Sequence, residues 1–195
     1  MKFEYAPGAT PVDPDEATGL LPSHLTLQRE LNEYEEANIL QAAEWLFGRR
    51  RGDPLDVRFI HTVHRRMFDQ TWRWAGEARR SDKNIGVRWY EIPVSLSQML
   101  GDIRVQIEHK AYPPSEIAAR YHHRLVAIHI FPNGNGRHAR LMADLLRVDL
   151  AGQRFEWGRE SLTSASELRA QYIAALRAAD KGDCQPLLKF LGCAD

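Results

Sequence analysis

The stretch HIFPNGNGRHAR, residues 129–140, combines a histidine, two Asn-Gly pairs and two arginines. Apolar residues at helical spacing lie on both sides of it: Ile117, Tyr121, Leu125 and Ile128 before, and Leu141, Met142, Leu145 and Leu146 after. Pro132 disfavours a helical conformation for the residue before it and so helps to end the incoming helix. The stretch is therefore predicted to be a loop between two helices, the second beginning near Gly136.

The composition of this loop favours an anion site. Residues 133–136 read Asn-Gly-Asn-Gly and tolerate positive φ angles, which lets successive backbone N–H groups point inward as a nest. The first turn of the next helix adds N–H donors that carry partial positive charge. Arg137 and Arg140 lie one turn apart and add forked donors that fit phosphate oxygens. The loop is therefore predicted to bind phosphate.

His129 stands at the edge of the predicted nest, where its imidazole can exchange a proton near neutral pH. A nucleotide in the nest beside such a base suggests transfer of part of the nucleotide to an incoming hydroxyl. Each feature alone is more often structural, as a turn, a helix end or a solvated arginine face. Their combination in one short stretch favours function, and the Walker pattern is absent, so the phosphate cradle is of another kind.

The overall composition limits the partners. The 195 residues are sufficient for one domain with a sizeable core, and 44% of them are hydrophobic. Lys and Arg number 26, as do Asp and Glu, so no global positive field favours nucleic acid or anionic lipid. The N-terminus shows no signal-peptide pattern, and no apolar run approaches the roughly 20 residues that span a bilayer. We expect a cytoplasmic protein that binds neither nucleic acid nor membrane.

The periodicity of the remaining chain predicts an all-α fold with one short β-like excursion. Residues 1–24 contain four prolines and are interpreted as an extended N-terminal arm, followed by a helix over 25–47 that ends at Gly48. Asp53 is predicted to cap the next helix, which ends near Asp69 and carries His61 and His64 on one face. Without a third ligand at a recognisable spacing, these two histidines are interpreted as structural or surface residues.

Residues 80–94 have the period of a strand rather than of a helix. Ile85, Val87 and Trp89 alternate with polar residues or glycine, and Pro93 is predicted to close the strand. Helices are then predicted from Ser95, from Ser115 to His129, from about Gly136, after a capping box at residues 164–167, and from Pro186.

The loop resembles the signature of the Fic/Doc (Fido) family, His-x-Phe-x-Asp/Glu-Gly-Asn-Gly-Arg-x-x-Arg. Seven specified positions are identical: His129, Phe131, Gly134, Asn135, Gly136, Arg137 and Arg140. The resemblance extends over most of residues 25–192 and is similar to the subgroup known as mobile mystery protein B. It implies a Fic domain over 25–195, built as a helical bundle with a short β-hairpin flap.

The resemblance also implies an activity: protein adenylyltransferase, transferring AMP from ATP to a Ser, Thr or Tyr hydroxyl with Mg²⁺ as cofactor. His129 would be the general base. Asn135 and the amides of Gly134 and Gly136 would hold the α-phosphate, and Arg137 and Arg140 the β- and γ-phosphates. Phe131 would anchor the loop in the core. The residues implied as the target-binding flap, which would pair with the target by strand addition, are Lys83, Asn84, Ile85, Gly86 and Val87.

Asn133 departs from the family signature, which has Asp or Glu there to coordinate magnesium. An Asn carbonyl can ligate a hard cation but brings no charge, so metal affinity should fall. Three alternatives stay open: a weaker Mg²⁺ site, a donor or product other than ATP and AMP, or a protein with little catalytic activity. A non-catalytic nucleotide-binding regulator or toxin–antitoxin component is the alternative from a different class.

Many relatives carry an inhibitory helix with a Ser/Thr-x-x-x-Glu pattern whose glutamate pairs with the second arginine of the signature. Residues 26–31, TLQREL, match it in part, and Glu30 is hypothesised to bind Arg140 and displace the γ-phosphate. Residues 163–168, TSASEL, show the same partial match, although the capping box already explains Glu167. The target protein is not identified by the sequence. Self-modification and an antitoxin-like partner are further expectations.

Overall fold

The computed structural model describes residues 14–22, 24–25, 27–48, 52–158 and 165–193. Within these ranges the α-helices are α1 (Pro14–Ala17), α2 (Gln28–Gly48), α3 (Val57–Phe68), α4 (Ile92–Glu108), α5 (Pro114–Ile128), α6 (Asn135–Ala151), α7 (Ala165–Asp180) and α8 (Gln185–Phe190). A short 3₁₀ helix, Trp89–Glu91, leads into α4. No strand occurs among the described residues, so the predicted all-α class is confirmed.

The residues that cap helix α3 determine where it begins and ends. Asp56 caps it, because its side chain accepts a hydrogen bond from the amide of Phe59 at 2.8 Å. The prediction of Asp53 as the cap is wrong by three residues. The Asp53 carboxylate instead accepts from the amide of Leu55 within the preceding turn, at 2.8 Å. The predicted end is confirmed, since Asp69 is the C-cap.

Helices α5 and α6 form the centre of the bundle. They pack along each other, α4 packs on α5, α2 packs on α3, and α7 packs on α8. Helix α6 is buried over most of its length and carries buried residues on more than one face, including Asn135, His138, Met142 and Leu146. Because α5 and α6 are joined by residues 129–134, the quoted loop lies at one end of the most buried helix pair.

The strand and hairpin predicted for residues 80–94 are not formed, and this expectation is corrected. Side chains take the hydrogen bonds that a neighbouring strand would have made. The Asp82 carboxylate accepts from the amide of Trp89 at 2.9 Å, and the carbonyl of Val87 accepts from the guanidinium of Arg79. Pro93 closes no strand but lies in the first turn of α4. Proline is favoured there because a backbone N–H in the first turn of a helix has no intrahelical carbonyl partner, so its loss costs no hydrogen bond.

Only part of the predicted N-terminal arm is described. Its residues 14–17 form the single turn of α1, and Leu20 makes an isolated antiparallel bridge with Trp72. Residues 1–13, Thr26 and the predicted capping-box residue Ser164 lie outside the described ranges. In those ranges, no helix combines the length and the apolar content that crossing a bilayer would require.

Candidate active site

Two residues in the left-handed region shape the loop between α5 and α6. His129 has φ 58° and ψ 62° and ends α5, and Gly134 has φ 76° and ψ 0° and precedes α6. A Cβ atom at Gly134 would lie 2.5 Å from the ring of Phe68. Both this close approach and the positive φ angle therefore require glycine at position 134. The chain therefore turns sharply at both ends of the loop between α5 and α6.

His64, on α3, supports the loop from the inside. Its Nδ1 accepts a hydrogen bond from the amide of Gly76 at 3.0 Å, so its Nε2 carries the proton and donates to the carbonyl of Asn133 at 3.1 Å. The ring also stacks on Phe131, with centroids 3.7 Å apart. Burial and the neighbouring His138 hold the pKa of His64 well below its usual value, which keeps the neutral form that these bonds require.

Asn135 closes the loop on itself. Its Oδ1 accepts from the amide of Phe131 at 2.9 Å, and its Nδ2 donates to the carbonyl of the same residue at 2.8 Å. Both ends of the amide side chain are therefore used inside the protein, and the residue is 4% exposed. In this arrangement the side chain of Asn135 holds the loop in shape, which leaves contact with a phosphate to main-chain amides.

The start of α6 offers such amides. Its first intrahelical hydrogen bond runs from the amide of His138 to the carbonyl of Gly134, at 2.9 Å, and no side chain caps the helix. A Cβ atom at Gly136 would meet nothing within 4 Å, so the space beside this first turn is open. The helix start thus combines amide donors with open space beside Gly136.

His129, the residue that ends α5, is only 4% exposed. A Cβ atom at Gly86, in the loop of residues 82–88, would lie 2.6 Å from the Cβ of His129, so that loop lies directly on the histidine. Burial, followed by the charges of Arg79 and Lys83, lowers the pKa of His129 to about 4. The imidazole is therefore neutral at pH 7, which is the form that can accept a proton.

The residues of the loop do not fit a protein-held magnesium ion. The Oδ1 atom of Asn133 accepts a hydrogen bond from the following amide of Gly134 at 2.6 Å and carries no charge. Magnesium is usually held through one or two carboxylates together with substrate phosphates. Within the described ranges, no three His, Cys, Asp or Glu side chains are grouped as metal ligands. The predicted metal role of Asn133 therefore gains no support from its surroundings.

The two arginines of the quoted stretch, both in α6, have different neighbours. Arg137 donates to a carboxylate oxygen of Glu35 at 2.7 Å, and its guanidinium lies 5.0 Å from the ring centroid of Phe68. The guanidinium of Arg140 lies 4.7 Å from the ring of Tyr172 and 5.2 Å from that of Trp157. Arg137 thus faces α2 and α3, and Arg140 faces α7 and the segment before it.

Arg137, the first of the two arginines, contacts the carboxylate of Glu35. Glu30 accepts a hydrogen bond from the amide of Leu27 at 3.1 Å in the first turn of α2, and its pairing with Arg140 stays a prediction. Glu35 is 7% exposed and also accepts from the indole of Trp72 at 2.6 Å. Glu167, the weaker alternative, is exposed on α7.

The residues predicted as the target-binding flap lie in the loop of residues 82–88. Lys83 is not available there as a surface cation, because its ammonium group binds Glu16 of α1 at 2.6 Å and its side chain is 3% exposed. Asn84, Ile85 and Gly86 are exposed, and Val87 is half-buried. Lys83, Gly86 and Val87 line a cavity of about 480 Å³ together with Asp82, Arg88 and Glu91.

The sequence alone did not identify three residues that contact the quoted stretch. Arg79 contacts His129, Glu35 contacts Arg137, and Tyr172 contacts Arg140. Glu35 is 102 positions from Arg137, and the contact of Arg79 with His129 spans 50 positions. Neither separation leaves a pattern in a single sequence. Tyr172 is half-buried on α7, and its contact with Arg140 likewise leaves no pattern in a single sequence.

Residues 54–146, which include α3, α4, α5, the loop and most of α6, match the Fic/DOC family. This segment of the chain is therefore a Fic/DOC family domain. Among the curated relatives of this Fic domain, protein adenylyltransferase fic-1 of Caenorhabditis elegans is 29% identical over 143 residues. Protein adenylyltransferase Fic of Aedes aegypti is 28% identical over 145 residues.

These alignments cover 71% and 72% of this chain but only 27% and 28% of the two relatives. The chain therefore spans little more than a quarter of their length. A solved structure, BepC of Bartonella tribocorum with bound AMPPNP, superposes with a TM-score of 0.67 at 18% identity. The superposition covers 92% of this chain and 96% of BepC. At that identity it establishes the Fic fold rather than the ligand.

Proposed function

We propose that this Fic domain transfers AMP from ATP to a Ser, Thr or Tyr hydroxyl of a protein. The observation that carries the proposal is the neutral His129 in the short loop that leads into the uncapped start of α6, with Arg137 and Arg140 on the first two turns of that helix. The adenylyltransferase names of the aligned relatives and the ATP analogue bound to BepC support ATP as the donor.

Binding of ATP is assigned to main-chain amides and guanidinium groups. The amides of Asn135, Gly136 and Arg137 point from the positive end of the α6 dipole and suit the α- and β-phosphates. Arg140, held against two aromatic rings, keeps a charge that a terminal phosphate can use. Because Asn133 contributes no anionic ligand, no step of the proposal depends on a metal held by the protein.

In the transfer itself, His129 accepts the proton of the target hydroxyl while the hydroxyl oxygen attacks the α-phosphorus. The bond between that phosphorus and the oxygen bridging to the β-phosphate breaks, and pyrophosphate leaves. The amides of α6 stabilise the negative charge that develops on the phosphate oxygens. The proposal requires the loop of residues 82–88 to move aside, because Gly86 lies on His129 in this structure.

The test uses ATP labelled separately at the α- and γ-phosphates, with the wild-type protein and His129→Ala. The expected result is transfer of α-label to protein by the wild type and its loss in His129→Ala, with ATP affinity retained. Transfer of γ-label would indicate phosphorylation instead. Saturable binding without transfer of either label would indicate a nucleotide-binding regulator, the alternative that Asn133 raises.

The hydroxyl donor is proposed to be a protein, including the chain itself as a self-modification substrate. An antitoxin-like partner and a cytoplasmic location remain part of the proposal. Mass spectrometry of the purified protein after incubation with ATP is the first measurement, since an added AMP group would identify a modified residue directly.

A further inference from the structure

A single buried arginine connects the histidine to the loop that covers it. Arg79 lies between α3 and the loop of residues 82–88, and its side chain has no exposed surface. Burying a guanidinium is costly unless its donors are satisfied, so each of its contacts indicates what holds it there.

The first group of contacts fixes the backbone around His129. The Nε atom of Arg79 donates to the carbonyl of His129 at 2.6 Å, and its backbone amide donates to the carbonyl of Ile130 at 2.9 Å. A weaker contact runs from Nη2 to the carbonyl of Ile128 at 3.5 Å. His129 has a left-handed conformation, which is unfavourable for a residue other than glycine. Arg79 supplies bonds that hold it there.

The second group of contacts reaches the covering loop. The Nη1 atom of Arg79 donates to the carbonyl of Ser81 at 2.8 Å, and Nη2 donates to the carbonyl of Val87. Gly86 fits between them, since a Cβ atom there would lie 2.9 Å from Nη2. One guanidinium therefore binds the carbonyl of the histidine and both ends of the loop above it.

Two carboxylates, those of Asp82 and Glu16, act on the charge of Arg79. The nearest carboxylate, Asp82, is 3.9 Å away and half exposed, and it also binds Arg88 at 3.2 Å. The other charge that acts on His129, that of Lys83, is paired with Glu16. Arg79 is therefore the principal cation that disfavours a protonated His129, after burial itself.

We propose that Arg79 is a positioning residue for His129. The hydrogen bonds of its guanidinium hold the backbone of His129 in place and hold residues 82–88 in the closed position. This inference rests on the proposed function only in naming His129 as the base. A guanidinium suits the task because its planar donors can reach several carbonyls at once, whereas an ammonium group acts as a point charge.

The test compares Arg79→Lys, Arg79→Gln and the matched control Arg80→Gln, since Arg80 is the neighbouring arginine and is exposed. Three quantities are measured: the pKa of His129 by NMR with labelled histidine, kcat and KM for AMP transfer, and the melting temperature. Arg79→Lys is expected to keep the low pKa of His129 but lose at least tenfold in kcat, with KM for ATP little changed. Arg79→Gln is expected to raise that pKa by about half a unit or more.

Wild-type kcat in Arg79→Lys, or an unchanged His129 pKa in a folded Arg79→Gln, would overturn the inference. If Arg79→Gln does not fold, Arg79→Lys decides alone, because it keeps the buried charge. Absence of AMP transfer by the wild type would count against the proposed function, not against Arg79. The chemical shifts and the pKa of His129 in the variants would then still decide whether Arg79 positions it.

Discussion

The two faces of the loop between α5 and α6 are built from different kinds of group. On the inner face, Phe131, His64 and Asn135 are buried and neutral, and their hydrogen bonds end on main-chain atoms. On the outer face, Arg137 and Arg140 are half-buried and charged, and they contact a carboxylate and three aromatic rings. The inner face fixes the shape of the loop, and the outer face presents charge.

Because of this difference, the inner face is expected to determine folding stability and the outer face to determine nucleotide binding. Neutral buried bonds contribute little to the field outside the protein, whereas a buried group left without its partner costs stability. Exposed or half-buried charges contribute little to stability but act on a charged ligand. Changes on the inner face should therefore alter folding, and changes on the outer face should alter nucleotide affinity.

The largest expected effect is loss of stability in mild acid. Burial lowers the pKa of His122 and His138 to about 3 and of His129 to about 4, and holds that of His64 well below its usual value. Unfolded histidine titrates near 6.5, so the unfolded chain binds more protons below that pH and stability falls as pH falls. Each such proton steepens the dependence of unfolding free energy by about 1.4 kcal/mol per pH unit.

Urea unfolding at pH steps from 7 to 5 measures this dependence. With four such histidines we expect a slope approaching ~5 kcal/mol per pH unit near pH 5. His122→Phe should reduce this slope by the share of one histidine, about 1.4 kcal/mol per pH unit, because its imidazole is fully buried and a phenyl ring cannot be charged. A flat dependence over the same range would show that these imidazoles are not held neutral by the fold.

The next effect in size concerns the core of the inner face. Phe131→Ala removes a fully buried ring that stacks on His64, and we expect it to lower the free energy of unfolding by about 3–5 kcal/mol. Phe131→Leu, which keeps most of the volume, is the control and should cost less than the alanine variant. An alanine variant that unfolds at the wild-type urea concentration would contradict the structural role of Phe131.

Much of this inner face was predictable, because it depends on local patterns. Helix periodicity placed α2 to α8 within a few residues, and Pro132 with the Asn-Gly pairs predicted the turn. The strand over residues 80–94 was wrong because alternation alone does not provide a partner. Ile85 and Trp89 are 45% and 44% exposed there, so the pattern does not correspond to a buried face.

The outer face was predictable only in part. The signature identifies Arg137 and Arg140, but their partners Glu35, Trp157 and Tyr172 come from elements that are distant in sequence. Ion pairs and cation–π contacts of this kind depend on how helices pack, which single-sequence periodicity does not contain. The role of Asn135 shows the same limit, since only its hydrogen bonds to Phe131 reveal that its side chain is already occupied.

On the outer face, Arg140 should matter more than the pair formed by Arg137 and Glu35. Arg140→Gln removes a charge that faces aromatic rings, and we expect at least tenfold weaker binding of ATP, about 1.4 kcal/mol. The double variant Glu35→Gln/Arg137→Gln removes both charges of the pair and leaves the net charge unchanged, so it should weaken binding less. Calorimetric titration measures both, and the opposite order would show that the ion pair itself recognises ATP.

The smallest expected effect is a gain in ATP affinity. Glu35→Gln removes the charge that balances Arg137 but leaves a carbonyl oxygen for the indole of Trp72, so the released guanidinium should bind phosphate more strongly. We expect a rise of a few-fold in ATP affinity, with a steeper dependence on salt. Glu33→Gln, an exposed glutamate on the same helix, is the matched control. Weaker binding in Glu35→Gln alone would instead mean that Glu35 orients Arg137 for the ligand.

The central claim is that a polyphosphate binds at the uncapped amides of α6. The most direct measurement follows the backbone amide resonances of Asn135, Gly136 and Arg137 by ¹H–¹⁵N NMR while ATP is added. We predict saturable shifts of these amides in the wild type and equally in His129→Ala, which keeps the helix start intact. Saturable binding that leaves the three amides unmoved and shifts resonances elsewhere would contradict the claim.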